Sequence, residues 1–206
     1  MTILLSDARV SAIPVRESGD PVVELPALLG AGTFVRQGVA DRLAAAALGL
    51  PAGYRIRVVE GHRSPASQRA IIDRYSAELR ALKPDASTER IRHLSSRFVA
   101  PLAVAPHVAA AAVDLTLLGP DGVQLDMGTA IDATPEDSRG ACYFGARNIT
   151  PAAREHRRIL AACLGGAGLT NYPTEWWHWS FGDRYWALSA GASHALYGPV
   201  DRDEAA

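Results

Sequence analysis

The sequence predicts an α+β fold, a single domain with a central antiparallel sheet flanked by helices. Three observations carry this. Helical segments are separated from strand segments instead of alternating with them. The strand candidates come with hairpin-type turn signals. The length, 206 residues, suits one compact domain and is tight for two.

Residues 1–32 read as an N-terminal arm. Pro14, Gly19, Pro21 and Pro26 punctuate short apolar pieces such as Val22 and Val23, leaving room for one short strand. A helix is expected over Val35 to Leu48, where Val39, Leu43, Ala46 and Ala47 share a face. Tyr54 to Glu60 follows as a strand, because Tyr54, Ile56 and Val58 alternate with Arg55 and Arg57. Ser64-Pro65 then has the form of a helix start, with a serine cap and proline in the first turn. The spacing of Ile71, Ile72, Tyr75, Leu79 and Leu82 carries that helix to Leu82, before Lys83-Pro84. A short helix is expected near Thr88 to Leu94.

Ala111 to Leu118 is the strongest strand, with Val113, Leu115 and Leu117 interleaving with Asp114 and Thr116. Gly119-Pro120-Asp121-Gly122 is a turn, after which Val123 to Leu125 can pair back. Residues 126 to 149 form a long polar loop, and loops of that length are often functional. Thr150-Pro151 opens a helix to about Leu164, closed by Gly165-Gly166-Ala167-Gly168. Trp176 to Phe181 is aromatic and β-prone, and reads as the last core strand. Residues 187–206 read as a C-terminal tail.

The net charge of −1 gives no global reason to expect nucleic-acid or anionic-membrane partners. Arg154, Arg157 and Arg158 are expected on the solvated face of a helix. Cys142 and Cys163 do not make a disulfide framework and read as reduced, partly buried thiols. Residues 1–7 lack a basic n-region and a long apolar h-region, and no apolar run is long enough to cross a bilayer, so a cytoplasmic location is expected. Oligomeric state stays open.

Two constellations carry chemistry. His107 and Asp114 are separated by six residues, and Glu175-Trp176-Trp177-His178 follows. Hydrolytic zinc sites commonly use three protein ligands and keep a fourth position for water. A further carboxylate can carry the proton of that water. Glu175 and His178, three apart, share a pocket only if Glu175 precedes the strand or a bulge intervenes; Pro173 fits the first option. His107 is expected in the loop after Pro106. His93, His156 and His194 lack a matched partner and read as surface or core residues.

The stretch from Pro106 to Leu117, with its Val-Asp-Leu-Thr-Leu string, and the later Glu-Trp-Trp-His-Trp string together resemble the zinc D-alanyl-D-alanine dipeptidases of the vancomycin-resistance type. Val58 to Pro65 resembles the family's Gly-Tyr-Arg-Pro element. Met127-Gly128 with Asp132 resembles its substrate loop. The resemblance runs from about residue 33 to 186 and implies roles residue by residue. His107, Asp114 and His178 are the implied ligands of one Zn2+ per subunit. Glu175 is the implied general base and acid. Arg63 is the implied oxyanion partner, and Asp132 the anchor for a dipeptide's ammonium. The implied substrate is a small D,D-dipeptide such as D-alanyl-D-alanine. A D,D-carboxypeptidase acting on cell-wall stem peptides, and a zinc-bound module that binds wall fragments without cleaving them, are the alternatives. This chain departs from the family at three positions. Ala105 replaces a serine that helps bind the substrate carboxylate, Ala110 replaces a glycine, and His62 replaces a tyrosine and is expected near the pocket.

Overall fold

The computed structural model describes residues 2–200; Met1 and the last part of the expected tail, 201–206, lie outside the described residues. In chain order the elements are α1 (Ala8–Ala12), β1 (Val22–Glu24), α2 (Ala27–Gly30), β2 (Phe34–Arg36), α3 (Gln37–Leu48) and β3 (Arg55–Glu60). Then come α4 (Pro65–Leu82), α5 (Thr88–Ser95), β4 (Ala112–Leu118), α6 (Pro151–Gly166), β5 (Thr170–Asn171), β6 (His178–Ser180) and α7 (Arg184–Ala190). Short 3-10 turns occupy Leu102–Val104 and His107–Ala109.

The main sheet has the order β3-β4-β6-β5, with every neighbouring pair antiparallel. A second, two-stranded sheet pairs β1 with β2. The fold is the α+β arrangement that the sequence predicts.

Strand β4 is central and buried along nearly its whole length. Alternation sends Val113, Leu115 and Leu117 into the main core with Val39 and Leu43 of α3 and Leu160 and Leu164 of α6. Burying each such leucine stabilises the fold by about 1.5–3 kcal/mol relative to leaving it exposed. The opposite face of β4 presents Asp114. Helices α4 and α5 pack on each other around a small core of their own, with Tyr75, Leu79, Ile91 and Leu94. Helix α4 and the segment after α5, Phe98 to Ala100, line the same pocket as Asp114.

Helix α4 matches the expected range because its start is set locally: the Ser64 hydroxyl accepts a hydrogen bond from the Ser67 N–H, and Pro65 occupies the first turn. Elsewhere tertiary pairing shifts the boundaries. Phe34 to Arg36 is a strand, not the start of α3, because β1 pairs along it. Besides its one strand, β1, the arm holds two short helices, α1 and α2: Asp7 caps the five-residue α1, in which Val10 is buried. Val123 to Leu125 makes no strand, and a single bridge joins Leu118 to Gln124. The last core strand is shorter than expected, His178–Ser180, so Glu175 lies ahead of it. Residues 187–190 belong to α7, and Ala195 and Tyr197 are buried rather than trailing in a tail.

Arg157 overturns the expectation of a solvated basic cluster. Arg154 and Arg158 are exposed, but Arg157 is 1% exposed. It shares the buried stripe of α6 with Ala153, Leu160 and Leu164. The cation is tolerated because its guanidinium donates to the carbonyl oxygens of Met127 (2.7 Å), Tyr143 (2.7 Å) and Ala141 (2.9 Å). Cys142 is buried and Cys163 partly so, and both are free thiols. No helix among the described residues is long and apolar enough to cross a membrane.

Candidate metal centre and active site

One cross-strand row builds the site. In the sheet register Asp114 pairs with Glu60 on one side and His178 on the other. Directly opposed residues on antiparallel strands point to the same face, so β3, β4 and β6 deliver three polar side chains to one pocket wall. A break in register between Val58 and Glu60 brings Glu60 into this row.

His107 arrives from the 3-10 turn ahead of β4. Ala110 closes that turn in the left-handed region, at φ 53°. It occupies the family's glycine position, where a residue without Cβ adopts this backbone at no steric cost. The chain is held there by hydrogen bonds from Ala110 N–H to His107 O (3.0 Å) and Ala111 N–H to Pro106 O (3.0 Å).

The three expected ligands converge. His107 Nε2 lies 3.0 Å from His178 Nδ1 and 3.4 Å from Asp114 Oδ1, and His178 Nδ1 lies 3.1 Å from the same oxygen. All three side chains are buried. Ligand atoms around a tetrahedral zinc stand roughly 3.4 Å apart, given zinc–nitrogen and zinc–oxygen distances of about 2.1 Å. The proton count fits as well. His107 Nδ1 lies 2.7 Å from the Gly61 carbonyl, which can only accept. That nitrogen therefore carries the proton, and Nε2 turns a lone pair toward the triad. A backbone carbonyl on the far nitrogen is the usual way a metal-binding imidazole is oriented. Two imidazoles and a carboxylate crowding three acceptor atoms together make a donor set suited to zinc.

Without a cation the triad polarises itself. Burial opposes charge on Asp114, but His107 and His178 outweigh it and hold its carboxyl far below the usual range. Burial also opposes charge on His107, and Asp114 carries its pKa above the ordinary value. For His178 burial prevails and the pKa falls.

Glu175 sits in the turn before β6, its N–H bonded to Tyr172 O at 2.9 Å. Its Oε2 is 3.9 Å from His178 Nδ1. Burial, then the carboxylates of Asp114 and Asp132, push its pKa well above the ordinary 4.5. A cation in the triad acts in the opposite direction.

Arg63 lines the same pocket. Its Nε donates to Glu60 Oε1 at 2.7 Å, one terminal nitrogen pairs closely with Glu60 Oε2, and the other donates to Gln68 Oε1 at 2.9 Å. A guanidinium has five N–H groups, so two stay available to the pocket. Asp132 also lines the pocket, in the left-handed region at φ 61°. Burial, with Asp114 and Glu60 nearby, raises its pKa.

Glu60 and Gln68 are site residues that sequence reasoning missed. Signals existed for both. Glu60 ends an alternating strand three residues before Arg63, and Gln68 is a polar residue on the buried stripe of α4. Gln68 Nε2 donates to Ala100 O at 2.8 Å, which turns Oε1 toward Arg63. His62 turns away from the pocket, its Nε2 3.1 Å from Val200 O. Met127 and Gly128 are packed under Arg157 instead of lining the cavity. His93, His156 and His194 also lie outside it.

A buried two-histidine, one-aspartate cluster with a carboxylate and an arginine beside it, on an α+β frame, defines a metallopeptidase. Residues 32–192 match the family described as Peptidase_M15, D-ala-D-ala dipeptidase, and the chain belongs to that family. It is similar to the D-alanyl-D-alanine dipeptidase of Synechocystis sp. (strain ATCC 27184 / PCC 6803 / Kazusa), with 29% identity covering 92% of this chain and 96% of that one. It is 38% identical to the D-alanyl-D-alanine dipeptidase of Escherichia coli (strain K12) over 72 residues, 35% of each chain. Among solved structures, it is similar to a vancomycin-resistance D,D-pentapeptidase VanY in complex with Zn(II), with a TM-score of 0.40, 18% identity, and coverage of 87% of this chain and 90% of that one.

Proposed function

We propose that this protein hydrolyses a small D,D-dipeptide such as D-alanyl-D-alanine, with His107, Asp114 and His178 holding zinc. The observation that carries the reading is the triad of ligand atoms 3.0–3.4 Å apart with Glu175 beside it, in a chain of the dipeptidase family.

Bound zinc supplies Lewis acidity and lowers the pKa of a water in the site. Glu175 takes a proton from the attacking water and delivers it to the leaving nitrogen. The peptide C–N bond breaks, the water oxygen stays on the carbonyl carbon, and the amine leaves protonated. The raised pKa of Glu175 serves the second half of this exchange. Arg63, held by Glu60 and Gln68, points fixed N–H donors at the carbonyl oxygen as it gains charge. Asp132 receives the substrate ammonium. Ala105 lines the pocket without a hydroxyl, so carboxylate binding relies on other donors in this chain.

The test is release of free D-alanine from D-Ala-D-Ala by zinc-loaded protein, with L-Ala-L-Ala and a chelator as controls. Release that needs the metal and the D,D configuration is expected. Stoichiometric zinc with no release would overturn the reading.

A further inference from the structure

Asp132, the partner assigned to the substrate ammonium, depends on its surroundings for its place. It lies in no helix or strand and stands in the left-handed region at φ 61°, a backbone that aspartate adopts more readily than most side chains. Its carboxylate makes no hydrogen bond or ion pair with the described residues. No polar contact of its own therefore aims it at the pocket that it lines. The attraction between a carboxylate and an ammonium falls with their separation, so the loop has to be fixed from outside.

Two side-chain pins bracket it. Upstream, Trp176 Nε1 donates to Thr129 Oγ1 at 2.8 Å. Downstream, Glu136 reaches the helical wall: Tyr75 Oη of α4 donates to Glu136 Oε2 at 2.6 Å, and Arg97 pairs with the other carboxylate oxygen. Both partners are themselves held. The Tyr75 ring is buried edge-on against Phe98, with centroids 4.9 Å apart, and Arg97 Nε donates to Leu94 O at 3.1 Å. Burial opposes charge on Glu136, but Tyr75 and Arg97 hold its carboxyl below the usual range, so at neutral pH the pin is an ion pair. A tight turn carries the fixed point back toward Asp132, with Ser138 N–H donating to Thr134 O at 3.0 Å and Thr134 Oγ1 to Asp137 Oδ2 at 2.8 Å. Ile131 and Ala133 pack partly buried against the main core. Apolar packing is non-directional; the hydrogen bonds to Glu136 supply the direction.

We propose that Glu136, held by Tyr75 and Arg97, is a positioning residue that fixes Asp132 where it receives the ammonium of a dipeptide. Glu136 touches no reacting atom and acts on substrate choice through the loop. The proposal rests on the hydrolytic reading above and on the role given there to Asp132.

The experiment compares D-Ala-D-Ala with propionyl-D-alanine, which keeps the scissile bond and the carboxylate but carries hydrogen in place of the ammonium. Both release D-alanine, so the ratio of their kcat/KM values reads ammonium recognition alone. The proteins are zinc-loaded wild type, Glu136→Ala, Glu136→Gln, Tyr75→Phe, Asp132→Asn and the double variant Glu136→Ala with Asp132→Asn. Calorimetric binding of both compounds is measured on the same samples. Wild type is expected to favour D-Ala-D-Ala, and Glu136→Ala to cut that preference about tenfold, the lower end of what a charge-assisted hydrogen bond is worth. The loss is expected in KM for D-Ala-D-Ala, with propionyl-D-alanine unaffected. Glu136→Gln, which can still accept from Tyr75, should retain part of the preference. Tyr75→Phe, which keeps the buried ring, should cut it about threefold, the scale of one neutral hydrogen bond. Adding Glu136→Ala to Asp132→Asn should cut it no further, because the two residues act through one interaction. An equal fall on both substrates, or a preference that survives Glu136→Ala, overturns the proposal and leaves Ile131 and Ala133 as what places Asp132. If wild type cleaves both compounds equally, the role of Asp132 and the pin fall together while the hydrolytic reading stands. If neither compound releases D-alanine, the hydrolytic reading fails. The binding data then decide the pin alone: a Glu136-dependent preference for D-Ala-D-Ala supports it, and equal binding overturns it.

Discussion

Glu175 is a carboxyl placed where its charge is costly. Burial and the carboxylates of Asp114 and Asp132 raise its pKa, so in metal-free protein the folded state favours the protonated form. Its stabilising contribution is fully present below the ordinary carboxylate pKa and is lost as pH rises through the raised value. Glu175→Gln, which stays neutral, is therefore expected to raise the melting temperature of metal-free protein at neutral pH by about 3 °C or more. The gap should close as pH falls below 4.5. Equal melting temperatures at neutral pH would show that the carboxylate carries no such penalty. At this scale the sequence was legible where residue type and spacing agreed: His107, Asp114 and His178 converge as their strings implied. Glu60 and Gln68 were not read, because their role is to hold Arg63, and such a role appears only when strand register and helix face are known.

Among the elements, the long 126–149 loop shows how an irregular segment is kept in place. Arg157 of α6 donates to four of its carbonyl groups, those of Met127, Ala141, Tyr143 and Phe144. Removing the guanidinium strands those carbonyls, at a cost of about 1–3 kcal/mol for each that stays dry. Arg157→Ala is expected to lower stability to denaturant by about 3 kcal/mol and to speed amide hydrogen exchange across 126–149 more than in β4. Unchanged exchange in the loop would contradict this clamp. The sequence concealed Arg157 because surface preference is the rule for arginine and its acceptors lie far along the chain. Helix α4, by contrast, was readable to both ends, since Ser64, Pro65 and Lys83-Pro84 act locally. The boundary between β2 and α3 was not, since β1 decides it from a distance.

Across the whole molecule, Arg36 fastens the expected arm and the C-terminal segment to the metal site. Its guanidinium donates to Asp20 O (2.8 Å), Ala109 O (3.2 Å) and Gly198 O (3.2 Å), and pairs with Glu17. Ala109 belongs to the turn that carries His107. Arg36→Ala should loosen both termini and weaken zinc binding about tenfold, the scale of losing an outer support of a metal site. Zinc affinity equal to wild type, measured by competition with a chelator, would limit Arg36 to a stabilising role. An arm wrapping the core was foreseeable from its proline and glycine punctuation. The partner that holds it was not, because Arg36 gathers groups from three separate stretches of chain.

The central claim is that one zinc sits in the His107, Asp114 and His178 triad and that Glu175 moves the proton. The measurement that tests it most directly is zinc content and D-Ala-D-Ala turnover of Glu175→Gln beside wild type. The account predicts one zinc per chain in both proteins and a fall in kcat of about 10²–10⁴ in the variant. Full turnover in the zinc-bound variant would contradict the role of Glu175, and loss of zinc would make Glu175 a ligand instead of the proton carrier.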